Sequence, residues 1–95
     1  MVSDSAAPDE PRHDSANERF LQYARTGNKA ILQSLIREFA DRAYNQARRI
    51  TGRSDGAEDA VQEAYLRLVT TAKRYDGSVP FAAWLGRLVS AAALN

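Results

Sequence analysis

Four side chains in the middle of the chain, Asp59, Gln62, Glu63 and Leu66, recur at three- and four-residue steps, so on a helix they share one side. Two carboxylates and an amide around one aliphatic residue suit non-covalent recognition of a basic, partly apolar helix. The leucine anchors and the acids pair with Arg or Lys of the partner. A second group follows: Lys73, Arg74, Tyr75, Asp76, Gly77 and Ser78, then Phe81, Trp84 and Arg87. Cations interleaved with aromatic rings suit unstacked nucleic acid, with the cations tracking phosphates and the rings and pockets receiving bases. A third group, Arg48, Arg49 and Arg53, fits either phosphate contact or the negative end of a helix dipole. Each group also has a plainer reading. Acids early in a helix and a single surface leucine are ordinary, and Phe81 and Trp84, three apart on an apolar stripe, fit a core.

Covalent and metal chemistry is poorly supplied. The chain has no cysteine, which removes disulfides, thiolate metal sites and cysteine nucleophiles. Its one histidine, His13, lies among Asp, Glu and Pro near the start, where neither a Ser-His-Asp triad nor a histidine zinc site can be built from it. Asp59 and Glu63 point away from the predicted core, so a carboxylate metal site inside a bundle does not assemble. The expectation is a non-enzyme with no cofactor and no metal. At 95 residues, with 44% hydrophobic and 26% charged side chains, the chain fits one ordinary soluble domain. No apolar run approaches the roughly 20 residues that cross a bilayer, and the acidic start lacks a signal peptide's basic and apolar regions. No membrane association and a cytoplasmic location are expected.

The elements that must position these groups read as helices. Residues 1–17 carry Asp4, Asp9, Glu10 and Asp14 against Arg12, net −3, leaving +4 on the rest of a chain whose total is +1. That stretch holds no apolar residue larger than Met1 and Val2, which predicts a disordered acidic tail. Residues 18–95 then form the folded domain. Glu18 to Thr26 predicts a short first helix ending at Gly27, with Phe20, Leu21 and Ala24 on one side. From Asn28 to Thr51 the apolar residues Ile31, Leu32, Leu35, Ile36, Phe39, Ala40, Ala43, Tyr44, Ala47 and Ile50 recur with helical period, and Gly52 ends the run. A third helix is expected from about Gly56 to Lys73, opened by an Asp55/Glu58 capping box and buried through Ala57, Ala60, Val61, Ala64, Tyr65, Leu68 and Ala72. After a turn at residues 74–78, Val79-Pro80 opens a last helix with Phe81, Trp84, Leu85, Leu88 and Ala92 on one face. No stretch alternates with the period of a strand. The fold class is therefore all-α, a small bundle of three main helices plus a short N-terminal one.

Three ordered blocks carry a family resemblance. They are Gly56-Ala57-Glu58-Asp59-Ala60-Val61-Gln62-Glu63-Ala64-Tyr65-Leu66-Arg67-Leu68, then Arg74-Tyr75-Asp76, then Pro80-Phe81-Ala82-Ala83-Trp84-Leu85. Together they resemble region 2 of the extracytoplasmic-function (ECF) sigma factors of bacterial RNA polymerase, and Ala43-Tyr44 with Ala47-Arg48-Arg49-Ile50 resembles the end of the preceding helix. The resemblance spans roughly residues 18–95. It implies that Asp59, Gln62 and Glu63, with Leu66 beside them, dock on the clamp helices of the polymerase β′ subunit. It also implies that Lys73, Arg74, Tyr75, Asp76, Gly77 and Ser78, with Arg87, contact the non-template strand of the promoter minus-ten element, while Phe81 and Trp84 pack behind the loop.

Two departures from the family pattern shape the expectation. Where the family commonly continues its last helix with Ala-Arg-Asn and a basic stretch, this chain has Ser90 and Ala91, which implies weaker or differently read DNA contact. The helix-turn-helix domain that reads the minus-thirty-five element, region 4, is absent from these residues. The alternative is a sigma-like interaction module that binds polymerase or an anti-sigma factor without promoter recognition.

Overall fold

In the computed structural model, which describes the backbone of residues 9–95 and the side chains of residues 15–95, the apolar stripe of residues 28–51 forms the longest helix. Its ends are set by side-chain and backbone chemistry. The Asn28 Oδ1 accepts the Ala30 N–H at 2.9 Å, and Gly52, at φ 75°, turns the chain while donating to the Arg48 carbonyl at 2.9 Å. We number the helices α1 (Asp9–Thr26), α2 (Lys29–Thr51), α3 (Ser54–Thr70) and α4 (Phe81–Leu94), with a 3-10 turn at Ala72–Arg74. No strand occurs among the described residues, and none of their helices is long and apolar enough to cross a membrane. The architecture is the expected all-α bundle.

The helices meet around one core. α3 packs against α2 and α4, and α2 against α4. α1 touches α2, α4 and the 3-10 turn, and among the described residues it makes no contact with α3. The largest fully buried side chains are Phe20, Phe81, Leu35, Leu68 and Val89. Alanines at 43 and 47 of α2 and at 57, 60 and 64 of α3 are buried, and such small side chains let packed helices approach closely. Gln46 of α2 crosses to α4, donating to the Gly86 carbonyl at 2.9 Å and to the Ser90 Oγ at 2.7 Å.

The first helix corrects the sequence reading. It is neither short nor begun at Glu18: it has 18 residues against 14 in α4. Of the expected disordered stretch, residues 1–8 lie outside the described residues, but residues 9–17 are helical, Ala16 is 1% exposed, and the Asn17 Oδ1 accepts the Phe81 N–H at 2.6 Å. Composition does not reveal this, because the segment is ordered through a buried alanine and through an asparagine bonded 64 positions away. Arg19 adds a further tie, with Nη2 2.6 Å from the Glu38 carboxylate and Nη1 3.0 Å from the Ser34 Oγ.

Smaller corrections follow along the chain. No Asp55/Glu58 capping box forms: Arg53 holds the cap position without a side-chain bond, and Asp55, inside the first turn, accepts from the Arg53 guanidinium and its neighbour Gly56 N–H. α3 ends at Thr70, so Lys73 sits in the 3-10 turn. Pro80 precedes α4 as its cap residue rather than lying within it. On α4 the fully buried stripe is Phe81, Leu85 and Val89, with Trp84, Leu88 and Ala92 half-buried beside it.

Candidate functional site

The face of α3 turned away from Ala57, Ala60, Ala64 and Leu68 carries Asp59, Gln62, Glu63 and Leu66, all exposed. Helical period placed these four together, and the structure keeps them together. Leu66 is 59% exposed and Val69, one turn on, is 43% exposed, so the aliphatic anchor is a two-residue ridge. Tyr65, half-buried, closes one side of a shallow depression that also includes Asp59, Gln62 and Glu63. Burial raises the Tyr65 hydroxyl above its ordinary pKa, so it stays a neutral donor. Val69 is not among the four residues of the sequence pattern, though its i+3 spacing from Leu66 puts it on the same side of the helix.

The charges on this face are lightly committed. The Glu63 Oε2 accepts from the Arg67 Nε at 3.0 Å, an i,i+4 pair at the surface. Such pairs contribute about 0.3–0.5 kcal/mol, so a partner cation can displace Arg67 at little cost. Asp59 makes no ion pair among the described residues. The face is thus an apolar ridge flanked by available acceptors.

The second group splits in two. Lys73, Arg74, Asp76, Ser78 and Arg87 are exposed, and none of the three cations forms an ion pair among the described residues. Tyr75 goes the other way. It is 3% exposed, its hydroxyl donates to the Val79 carbonyl at 2.6 Å, and its ring packs edge-on against Phe20 and Trp84 at 5.2 and 5.3 Å. Tyr75, expected in the DNA-contacting group, is thus buried and hydrogen-bonded, which matches the plainer reading of the loop aromatics as core. Its burial, and the Asp76 charge beside it, raise its pKa.

The loop between the 3-10 turn and α4 is held by its own short bonds. The Asp76 Oδ1 accepts the Ser78 N–H at 2.9 Å, an Asx-type turn, and the Ser78 side chain and backbone amide hold Asp76 below the usual carboxylate range. Gly77 sits at φ 84°, where side chains are disfavoured, and a Cβ there would stand 3.2 Å from the Leu21 Cδ1 of α1. Trp84 packs behind Tyr75; its buried indole N–H has no partner among the described residues. Ser90, the position of the family departure, is engaged by Gln46.

The third group stays unresolved into one surface. Arg48 and Arg49 are exposed in the last turn of α2, where they complement the helix dipole, while Arg53 is paired with Asp55. Among the described residues no cluster of three or more Asp, Glu or His side chains is arranged to hold a metal ion.

Residues 35–95 match the family model for sigma-70 region 2. The chain is also 35% identical over 68 residues to the ECF RNA polymerase sigma factor SigE of Mycolicibacterium smegmatis, an alignment covering 68% of this chain and 26% of that protein. The chain therefore spans about a quarter of the curated relative it matches. No solved structure matches it significantly.

Proposed function

The chain belongs to the sigma-70 region 2 family, of ECF type, and from that premise we propose that it is a transcription-initiation module, non-enzymatic, with two working surfaces. The outer face of α3 binds core RNA polymerase through the β′ clamp helices, with Leu66 and Val69 as the apolar anchor and Asp59, Gln62 and Glu63 pairing with basic and polar groups of the partner. The loop residues Lys73, Arg74, Asp76, Gly77 and Ser78, with Arg87, contact the non-template strand of the minus-ten element. Tyr75 serves from inside, as the pillar on which that loop rests.

The observation that carries this reading is the exposed Leu66–Val69 ridge beside lightly paired acids, on a helix whose opposite face is fully buried. A soluble monomer gains nothing from that ridge; a docked one buries it. Asp59→Arg combined with Gln62→Ala is expected to weaken binding to a β′ clamp-helix fragment by about 100-fold or more, the scale of a reversed interface charge. Helicity by circular dichroism stays unchanged. Retained binding overturns the assignment. Binding to single-stranded DNA is expected to be weak and to fall steeply with salt, since a few cations supply most of it.

A second reading, a module that binds polymerase or an anti-sigma factor without promoter recognition, is favoured by one observation: the part-buried Ser90 hydroxyl is engaged by Gln46, where the family commonly offers a polar group to DNA. Promoter-dependent transcription with core polymerase separates the two. Only the first reading allows initiation.

A further inference from the structure

α4 begins without a cap of its own. Its first residue, Phe81, presents a backbone N–H that no earlier turn can accept, and the cap residue is Pro80, whose side chain has no acceptor. The acceptor comes from α1, 64 positions earlier in the chain: the Asn17 Oδ1 takes the Phe81 N–H at 2.6 Å. Ser, Thr, Asp or Asn normally fills this role from within the helix's own segment. Here the role is transferred to another helix.

The neighbouring contacts of α1 converge on the same few residues. Phe20, one turn after Asn17, is completely buried and sets its ring 5.0 Å from Phe81 and 5.2 Å from Tyr75. Leu21 lies against Gly77, within reach of any side chain placed there. Asn17 thus meets the end of the segment 75–81, Leu21 its middle, and Phe20 both its start and its end. The family-model match begins only at residue 35, so α1 lies outside it.

We propose that α1 is the positioning element of the nucleic-acid loop, and that Asn17 is its positioning residue: it fixes where α4 begins and hence how the exposed groups of residues 76–78 are presented. The proposal rests on the reading of that loop as the DNA-contacting surface. A loop ordered in advance loses less conformational freedom on binding a strand, so its affinity depends on a contact the strand never makes. Asn17 does not itself touch the strand. It acts through Phe81.

The test uses the 95-residue chain, amide exchange by NMR, and the salt-dependent fluorescence anisotropy of a labelled single-stranded DNA oligonucleotide. Asn17→Ala is expected to speed exchange of the Phe81 N–H and to weaken oligonucleotide binding, each about fivefold, the size of a lost cap. Asn17→Asp, which keeps an acceptor oxygen in place, restores the protection and most of the affinity. Binding to a β′ clamp-helix fragment is unchanged in both variants, since α1 does not touch α3. Unchanged exchange at Phe81 in Asn17→Ala overturns the proposal. So does faster exchange with undiminished oligonucleotide affinity. If the unsubstituted chain does not bind the oligonucleotide at all, the DNA reading falls, and Phe81 exchange with its rescue by Asp still decides whether Asn17 positions α4.

Discussion

The α3 face and the 75–81 loop are built on opposite plans. Asp59, Gln62, Glu63, Leu66 and Val69 stand on a regular helix, and their relative positions follow from 3.6 residues per turn. No contact outside α3 is needed to bring them together. The loop, by contrast, has no period to organise it, and every feature that shapes it is a specific contact: the Tyr75 hydroxyl on Val79, Asp76 on Ser78, Leu21 against Gly77, Asn17 on Phe81. A surface read by a folded partner can be carried by a rigid helix. A surface that must fit an irregular strand needs a loop, and an ordered loop needs support from elsewhere. The absence of contact between α1 and α3 makes the two plans separable by mutation.

The sharpest break is expected at Phe20. Its ring is fully buried and joins Tyr23, Tyr75 and Phe81 in one aromatic cluster, with centroid separations of 6.0, 5.2 and 5.0 Å. Phe20→Ala should cost about 3–5 kcal/mol by urea denaturation, the usual range for emptying a buried aromatic site. Leu66→Ala, the matching truncation on the α3 face, should change stability by at most about 0.5 kcal/mol while weakening polymerase binding. Comparable stability losses at the two positions would show that the α3 face is structurally integrated after all, and would remove the contrast between the regions.

A smaller break is expected at Gly77. An alanine there must adopt φ near 84° and place its methyl 3.2 Å from Leu21. The left-handed conformation alone costs about 1–2 kcal/mol for a residue with a Cβ. Thermal unfolding of Gly77→Ala should report a loss of that size. A Gly77→Ala protein as stable as the parent would mean that the loop relaxes freely, and that α1 does not constrain it.

How much of this was legible in the sequence follows the same division. The apolar stripes of α2 and α3, and with them the exposed face at 59, 62, 63 and 66, are periodic, and periodicity needs only one segment to be read. Phe81 and Trp84 were readable as packing for the same reason. What stayed hidden depends on pairs far apart in the chain. Asn17 reads as a polar residue in an acidic stretch until Phe81 is seen beside it, and Tyr75 reads as an exposed turn aromatic until Phe20 and Trp84 enclose it. Local composition describes how a segment behaves alone, whereas α1 is a helix because of what it packs against. Family likeness covered the α3 face well and said least about α1, which precedes the matched residues.

The finest test concerns the charge inside the loop. Ser78, through its hydroxyl and its backbone amide, holds Asp76 below the ordinary carboxylate pKa, so the Asp76 charge favours the folded loop. For a group whose folded pKa is lowered, the stabilisation is present above the unfolded value of about 3.9 and is lost as pH falls through the folded one. The loop should therefore be indifferent to pH near neutrality and loosen only in the acid range. An NMR titration of the Asp76 side-chain carboxyl should give a midpoint below about 3.9, with loss of protection at the Ser78 amide following the same curve. Asp76→Asn, which still offers an oxygen to Ser78, should abolish the pH dependence while keeping most of the protection. A midpoint at or above the ordinary value would mean that the Asx turn does not persist in solution. The loop would then depend on the Tyr75–Val79 bond and on α1, a stricter form of the contrast with the self-sufficient α3 face.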